Sequence, residues 1–391
     1  MLLTGSGRLA PSGRSPWGIR ITEGRIAWVG DPRDAPEEER IDVDAALVTA
    51  GLVDSHTHPV FAGDRSDEAA ARLEGAPYTE GGILRTMRAT RAASDDELAA
   101  RLRDRLCAAL AAGTTTVECK SGYGLSLEEE LRHLRLIRSV AAELPIRSVA
   151  TFLGAHAVPP DAGSSAEYAA RVADEMIPAV AAEGLAEFVD VFADAGFFDL
   201  AATERIGRAA ADAGLGLRLH AEQLSRTGAA ELGVRLDAAS LDHLAQLDEA
   251  GVATVAASAT VATLLPAPAM VLRDRMPPAR ALLDAGATVA LASDANAGTF
   301  AGFGAMPLVV GLGATLLGMT VTEALTAATA GAGASLRVPG LGRLEPGAPA
   351  DLVAWDAEHE GAFALRLGGV RPFRTWIGGE EIARGTRAAG C

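Results

Sequence analysis

The chain has little cysteine, almost no lysine and no long uninterrupted apolar run. Three cysteines occur, Cys107, Cys119 and Cys391. An odd number without CxxC spacing argues against a disulfide framework and against a cysteine metal site. Lys120 is the only lysine among 35 basic residues, a bias that reads as genome composition. The start, MLLTGSGRLA, lacks a charged segment followed by an apolar one, so no signal peptide is expected. The most apolar segment, Ala305 to Val321, contains Pro307 and several glycines, which favours buried helix and loop over a membrane span. Positive charge is also scarce. A net charge of −16 disfavours nucleic acid and anionic membranes as partners. These absences leave a soluble cytoplasmic protein as the expectation. Any anionic substrate must then be drawn in by local positive charge.

What is present is an ordinary globular balance, 49% hydrophobic and 22% charged over 391 residues. A large core is feasible, and a barrel of about 250 residues or more can be one unit. The first fifty residues read as short strands. Trp17–Ile21 and Arg25–Gly30 flank a hairpin-like turn at Thr22-Glu23-Gly24, and Ile41–Ala50 continues the style. From residue 51 apolar β-type runs alternate with alanine-rich helical stretches. The expected strands are Leu52–Ser55, Thr114–Glu118, Arg147–Leu153, Ala186–Phe192, Leu215–His220, Ala238–His243, Val252–Ala257 and Ala287–Ser293. Eight strand–helix units of buried parallel strands predict an α/β fold, a (β/α)8 TIM-like barrel. After helical sequence over Val321 to Leu336, short-strand texture returns at Gly340–Gly347, Ala350–Trp355 and Arg374–Ile377. The two ends therefore predict one small β-sandwich domain from residues 1–50 plus 345–391, beside a catalytic barrel over 51–344.

In such barrels the chemistry sits at the carboxyl ends of the strands. His56 and His58 follow the first strand in GLVDSHTHPVFAGDR, and residues i and i+2 of a strand share a face. Lys120 and Tyr123 follow the second in CKSGYG, and His156 follows the third in FLGAHAVP. His220 follows the fifth in LRLHAEQ, His243 the sixth in SLDH, and Asp294 the eighth in ALASDANAG. Taken singly, each histidine could be an ordinary polar residue, Asp294 a helix N-cap and Tyr123 core. Five of the seven histidines at one rim are harder to dismiss, because buried polar rings need partners. A divalent metal is such a partner. His56, His58, His220 and Asp294 offer nitrogen and oxygen ligands suited to zinc, with water completing the shell. Ligand type also admits iron or manganese.

HxH after strand one, histidines after strands five and six, and aspartate after strand eight resemble the amidohydrolase superfamily, as does the late GLGRLEPGAPADLVAWD. Within it, HTHPVFAGDR, ECKSGYGL, FLGAHAVP, HAEQL and SDANAGT are similar to the imidazolonepropionase family. That resemblance implies one zinc or iron ion per chain and an anionic small-molecule substrate, 4-imidazolone-5-propanoate, opened hydrolytically to N-formimidoyl-L-glutamate in histidine degradation. It is compatible with a homodimer. It implies Asp294 as proton carrier and His243 as the group that orients water or stabilises the oxyanion. It assigns substrate contacts to Arg65, Tyr123, His156, Gln223, Asn296, Gly298 and Thr299. Lys120 would position neighbouring groups, although in other amidohydrolases a carbamylated lysine bridges two metals. Arg65 also has its own rationale, since a guanidinium grips a carboxylate in two-pronged fashion. The plainer reading of Arg65 is an ion pair with Asp64 or Asp67.

Two positions depart from the family pattern. Ser293 stands where threonine is usual, and Ala297 where proline is usual. Some members carry an acid where Gln223 stands, and the adjacent Glu222 is the alternative base. The rival readings are another cyclic-amide hydrolase or a deaminase on the same scaffold, and a non-catalytic binding protein on a decayed barrel.

Overall fold

The computed structural model describes residues 1–35, 39–43, 47–75, 81–298, 302–384, 387–388 and 391. Eight parallel strands follow one another in chain order in one sheet. They are β1 (Leu52–Asp54), β2 (Thr114–Lys120), β3 (Arg147–Ala155), β4 (Phe188–Ala193), β5 (Gly216–Ala221), β6 (Ser240–His243), β7 (Val261–Leu264) and β8 (Val289–Leu291). The ring closes where β1 runs out. The Asp294 N–H donates to the His56 carbonyl at 3.0 Å, and the His58 N–H donates to the Ala295 carbonyl at 2.9 Å. This is the (β/α)8 barrel expected from the alternation.

The strands form because their residues are covered on both faces. All of Thr114–Lys120 is buried, a β-branched run that suits a parallel strand between helices and barrel interior. The helices start on chemical signals. Ser94 and Ser126 accept hydrogen bonds from the Glu97 and Glu129 N–H groups, and three acidic residues occupy the first turn of each helix. The amino-terminal end of the barrel is plugged by Val53, Val149, Phe188, Val261 and Ala290, packed with Ala332, Leu336 and Leu341.

The chain termini build two further sheets. One has four strands, Arg25–Gly30, Trp17–Thr22, Leu2–Gly5 and Arg40–Asp42. The other has six and joins both ends of the chain, with Leu352–Trp355 antiparallel to Leu47–Ala50. Leu3, Trp17 and Ile19 from the first share an apolar core with Val48, Leu352 and Trp376 from the second.

Several expectations are corrected. Val252–Ala257 is not the seventh strand. Asp248 caps a helix over Glu249–Ala256, and Val252 and Val255 bury one helical face while Ala253 and Thr254 turn outward. The strand lies further on, at Val261–Leu264. Gly340–Gly347 forms turns, because Gly340, Gly342 and Gly347 all take positive φ. A π-helical turn, Val172–Met176, joins the helices Ser165–Arg171 and Ile177–Ala182. The expected absence of disulfides is overturned by a Cys107–Cys391 bond that spans 284 residues of sequence, while Cys119 is free and buried. Spacing cannot report such a pair, since only the fold brings the last residue to the helix that carries Cys107. The apolar segment forms the helix Met306–Leu316, and no described helix is long and apolar enough to cross a membrane.

Candidate metal and substrate site

The chain is still extended at Thr57, which bridges to Ala295, so His56 and His58 project to one side. Their Nε2 atoms stand 3.3 Å apart. Asp294 Oδ1 lies 3.6 Å from the first and 3.4 Å from the second. The His220 ring is 4.5 Å from His56, and His243 is 5.2 Å from His220, centroid to centroid. Ligand-type atoms of His56, His58 and Asp294 fall within 4.8 Å of one another, as do those of His56, His220 and His243. Two of these side chains are held on unusual backbone, at φ 79° for His243 and 51° for Asp294. Non-glycine residues in the left-handed region concentrate at functional sites.

Carboxylates behind the rings aim them. Asp242 Oδ2 sits 2.6 Å from His56 Nδ1 and takes a hydrogen bond from Arg218 at 3.2 Å. Asp190 sits 3.1 Å from His220 Nδ1 and 2.8 Å from Lys120 Nζ. With Nδ1–H donated to a carboxylate, each ring turns its Nε2 lone pair to the centre. Burial holds His56, His58 and His156 well below the usual histidine range and brings His243 to about 3, so these rings are neutral. Neutral imidazoles and a carboxylate converging on one point fit a divalent cation. Lys120 is fully buried between Glu118 and Asp190, each 2.8 Å from Nζ. Burial alone would lower its pKa, but the two carboxylates outweigh it and raise it. It stands as the counter-charge to these two carboxylates.

Above this cluster is a narrow pocket lined by His58, Arg65, Tyr123, His156, Gln223 and Asn296, with Phe192, His220, His243 and Asp294. His156 Nδ1 lies 2.8 Å from the Gly122 carbonyl and its ring stacks on His58 at 5.1 Å, so its Nε2 is the free edge. Gly298 lies in the adjoining mouth with Arg65 and Asn296. Thr299 lies outside the described residues. A larger cleft runs between the terminal sheets and the 325–330 helical segment. It carries none of the histidines.

Other sequence readings are refined. Glu222 turns away from the pocket, and its carboxylate accepts from the N–H groups of Thr227, Gly228 and Ala230 and from Arg226. Arg65 does pair with an acid, but the partner is Glu68, at 2.6 and 2.8 Å, rather than Asp64 or Asp67. Ser293 keeps a hydroxyl, which donates to Asp54 at 2.5 Å, and burial pushes the Asp54 carboxyl up to about 7. Sequence reasoning missed Glu118, Asp190, Arg218 and Asp242. The signal was a lone charge inside an otherwise apolar strand, as in FVDVF and GLRLH, which demands a buried partner.

A family model described as amidohydrolase family matches residues 47–382. The chain belongs to the amidohydrolase family. It is 45% identical over 360 residues to an imidazolonepropionase from Methylobacterium nodulans, with 90% of each chain covered. It is 47% identical over 367 residues to the imidazolonepropionase of Ectopseudomonas mendocina, again covering 90% of each. Among solved structures it is similar to N-isopropylammelide isopropylaminohydrolase from Burkholderia multivorans, with TM-score 0.77, 22% identity and 99% and 100% of the chains covered. A zinc-bound adenosine deaminase from Xanthomonas campestris superposes with TM-score 0.74 and 19% identity, covering 99% and 93%. At such identities these structures establish the shared fold alone.

Proposed function

We propose that this amidohydrolase is an imidazolonepropionase, which opens 4-imidazolone-5-propanoate with water to give N-formimidoyl-L-glutamate. The observation that carries the reading is one pocket in which His58, His220, Asp294 and a buried arginine face the same space, in a chain 45–47% identical to imidazolonepropionases. His56, His58, His220 and Asp294 would hold one divalent metal, zinc or iron. When bound, it supplies Lewis acidity toward the amide carbonyl and makes water acidic, toward a pKa of about 7. Water adds to the ring carbonyl carbon, and the bond from that carbon to the ring nitrogen breaks. Asp294 takes the water's proton and returns it to the departing nitrogen, acting as base and then acid. His243, neutral and with no partner on Nε2 among the described residues, orients the water or meets the developing oxyanion. Arg65 takes the propionate tail, while Tyr123, His156, Gln223 and Asn296 line the ring's seat.

Residues 1–50 with 345–391 make up the small β-domain, and 51–344 the catalytic barrel. The function is tested by product analysis of the metal-loaded protein. N-formimidoyl-L-glutamate must appear in step with substrate loss. Ammonia release from a neutral nucleobase, without turnover of the imidazolone, would place the chain with the deaminases.

A further inference from the structure

Helix α1 (Ser66–Leu73) and the residue that precedes it carry a charged face that the reaction scheme leaves unexplained. Arg65, Glu68 and Arg72 stand at i, i+3 and i+7, so one side of the helix presents cation, anion, cation. These are not free surface charges, for Arg65 is 4% exposed and Arg72 8%. Glu68 accepts from Arg65 Nε at 2.8 Å and from Nη2 at 2.6 Å. A two-pronged pair of this kind fixes the plane of a guanidinium. That plane is walled by two glycines, since a Cβ on either Gly82 or Gly298 would collide with the Arg65 guanidinium.

Two turns along from Arg65, Arg72 Nη2 donates to the Gly298 carbonyl. From there a hydrogen-bonded path leads to the proposed proton carrier. The Gly298 N–H donates to Asn296 Oδ1 at 2.6 Å. Asn296 Nδ2 in turn donates to Asp294 Oδ1 at 2.9 Å and to the Asp294 carbonyl at 2.7 Å. A buried ion pair is weak evidence for a stabilising role. This one sits between the pocket mouth and the loop that shapes the pocket floor.

We propose that Glu68 and Arg72 are positioning residues that tie the grip on the substrate's anionic tail to the placement of Asp294. The idea rests on the reading of Arg65 as the group that meets the tail. Glu68 presents the Arg65 fork, Arg72 holds the Gly298 end of the loop, and Asn296 passes that position on to Asp294. One helical face thus sets both where the tail is held and where the carboxylate stands.

The test is steady-state kinetics of the metal-loaded protein on 4-imidazolone-5-propanoate and on a neutral analogue that lacks the carboxylate, with metal content and melting temperature recorded for every variant. Arg72→Met keeps bulk and removes the donor. It should lower kcat about tenfold on both compounds, the scale of one hydrogen bond to a charged group, without loss of metal. Arg72→Lys should recover part of that loss. Asn296→Ala should lower kcat similarly, and the double variant Arg72→Met/Asn296→Ala should be no worse than the poorer single variant, because both cut one path. Glu68→Gln should raise KM for the acid about tenfold and leave the analogue within about twofold. Multiplicative losses in the double variant would overturn the path to Asp294. A lower KM for the acid in Glu68→Gln would overturn the tether and make Glu68 a competitor of the tail. If Arg72→Met loses structure or metal, the same comparison is made with Arg72→Lys and Asn296→Ala. Failure of the parent reading looks different: the unmodified protein would show no preference for the acid over the analogue, whereas the Arg72–Asn296 coupling is read on kcat with either compound.

Discussion

The two walls of the pocket are held by different means. The histidine wall stands on strand ends of the barrel. Its rings are braced from behind by Asp242 and Asp190, which are braced in turn by Arg218 and Lys120, all fully buried. The opposite wall stands on a helix and a loop, where Arg65 is held by Glu68 and flanked by Gly82 and Gly298. Strand ends in a closed ring can scarcely move relative to one another, which suits groups that must converge on one ion. A helix face and a loop tolerate change, which suits the part that tells one substrate from another. On the proposed function, the rigid wall carries the chemistry and the adaptable wall the preference.

This contrast can be broken at either side. The largest effect is expected at the rigid wall. His56→Ala/His58→Ala should remove most bound metal and reduce turnover to background together, read by metal analysis beside the activity assay. Normal occupancy would mean that the ion sits elsewhere. Asp294→Asn comes next. The amide can still coordinate weakly but cannot carry a proton, so turnover should fall about 10²-fold or more while some metal remains. Near-normal turnover would move the proton carrier to another group, and Glu222 is not available, since its carboxylate faces a helix start. Behind the ring, Asp242→Asn should weaken metal affinity about 10- to 100-fold in a chelator competition. An unchanged affinity would reduce Asp242 to packing.

At the adaptable wall the effect should be selective. Arg65→Ala should lower kcat/KM for the acid about 10- to 100-fold, and Arg65→Lys should recover only part of it. Metal content should not change. The ratio of acid to neutral analogue is the number to watch, and an equal ratio in both proteins would mean that Arg65 does not read the tail. The smallest effect on turnover belongs to Cys391→Ser, since this residue lines neither wall. It should leave kcat unchanged within about twofold and, by opening a long loop, lower stability. In the unmodified oxidised protein, thiol titration at pH 8 should find no reactive group, because burial pushes the Cys119 thiol up to about 12 and keeps it protonated.

The rigid wall was the more legible in the sequence. A two-residue spacing after an apolar run already puts His56 and His58 on one face, and strand–helix alternation puts the other proposed ligands on the same rim. Its bracing was not legible, because Asp242 and Arg218 meet across neighbouring strands whose register the sequence does not display. The adaptable wall was read only by residue type. Arg65 has Asp64, Asp67 and Glu68 within reach, and only the start of α1 beside it decides that the residue three along is its partner. The seventh strand was misplaced because a short apolar run such as GVATVAA fits a strand and a helix face equally well, and the Asp248 cap decides the matter.

The account depends most directly on one measurement, the turnover of 4-imidazolone-5-propanoate by the purified protein before metal removal, after it and after metal is restored, followed by loss of imidazolone absorbance. It predicts conversion to N-formimidoyl-L-glutamate that disappears with the metal and returns with it. No turnover by the fully metal-loaded protein, or undiminished turnover by the metal-free one, would contradict it.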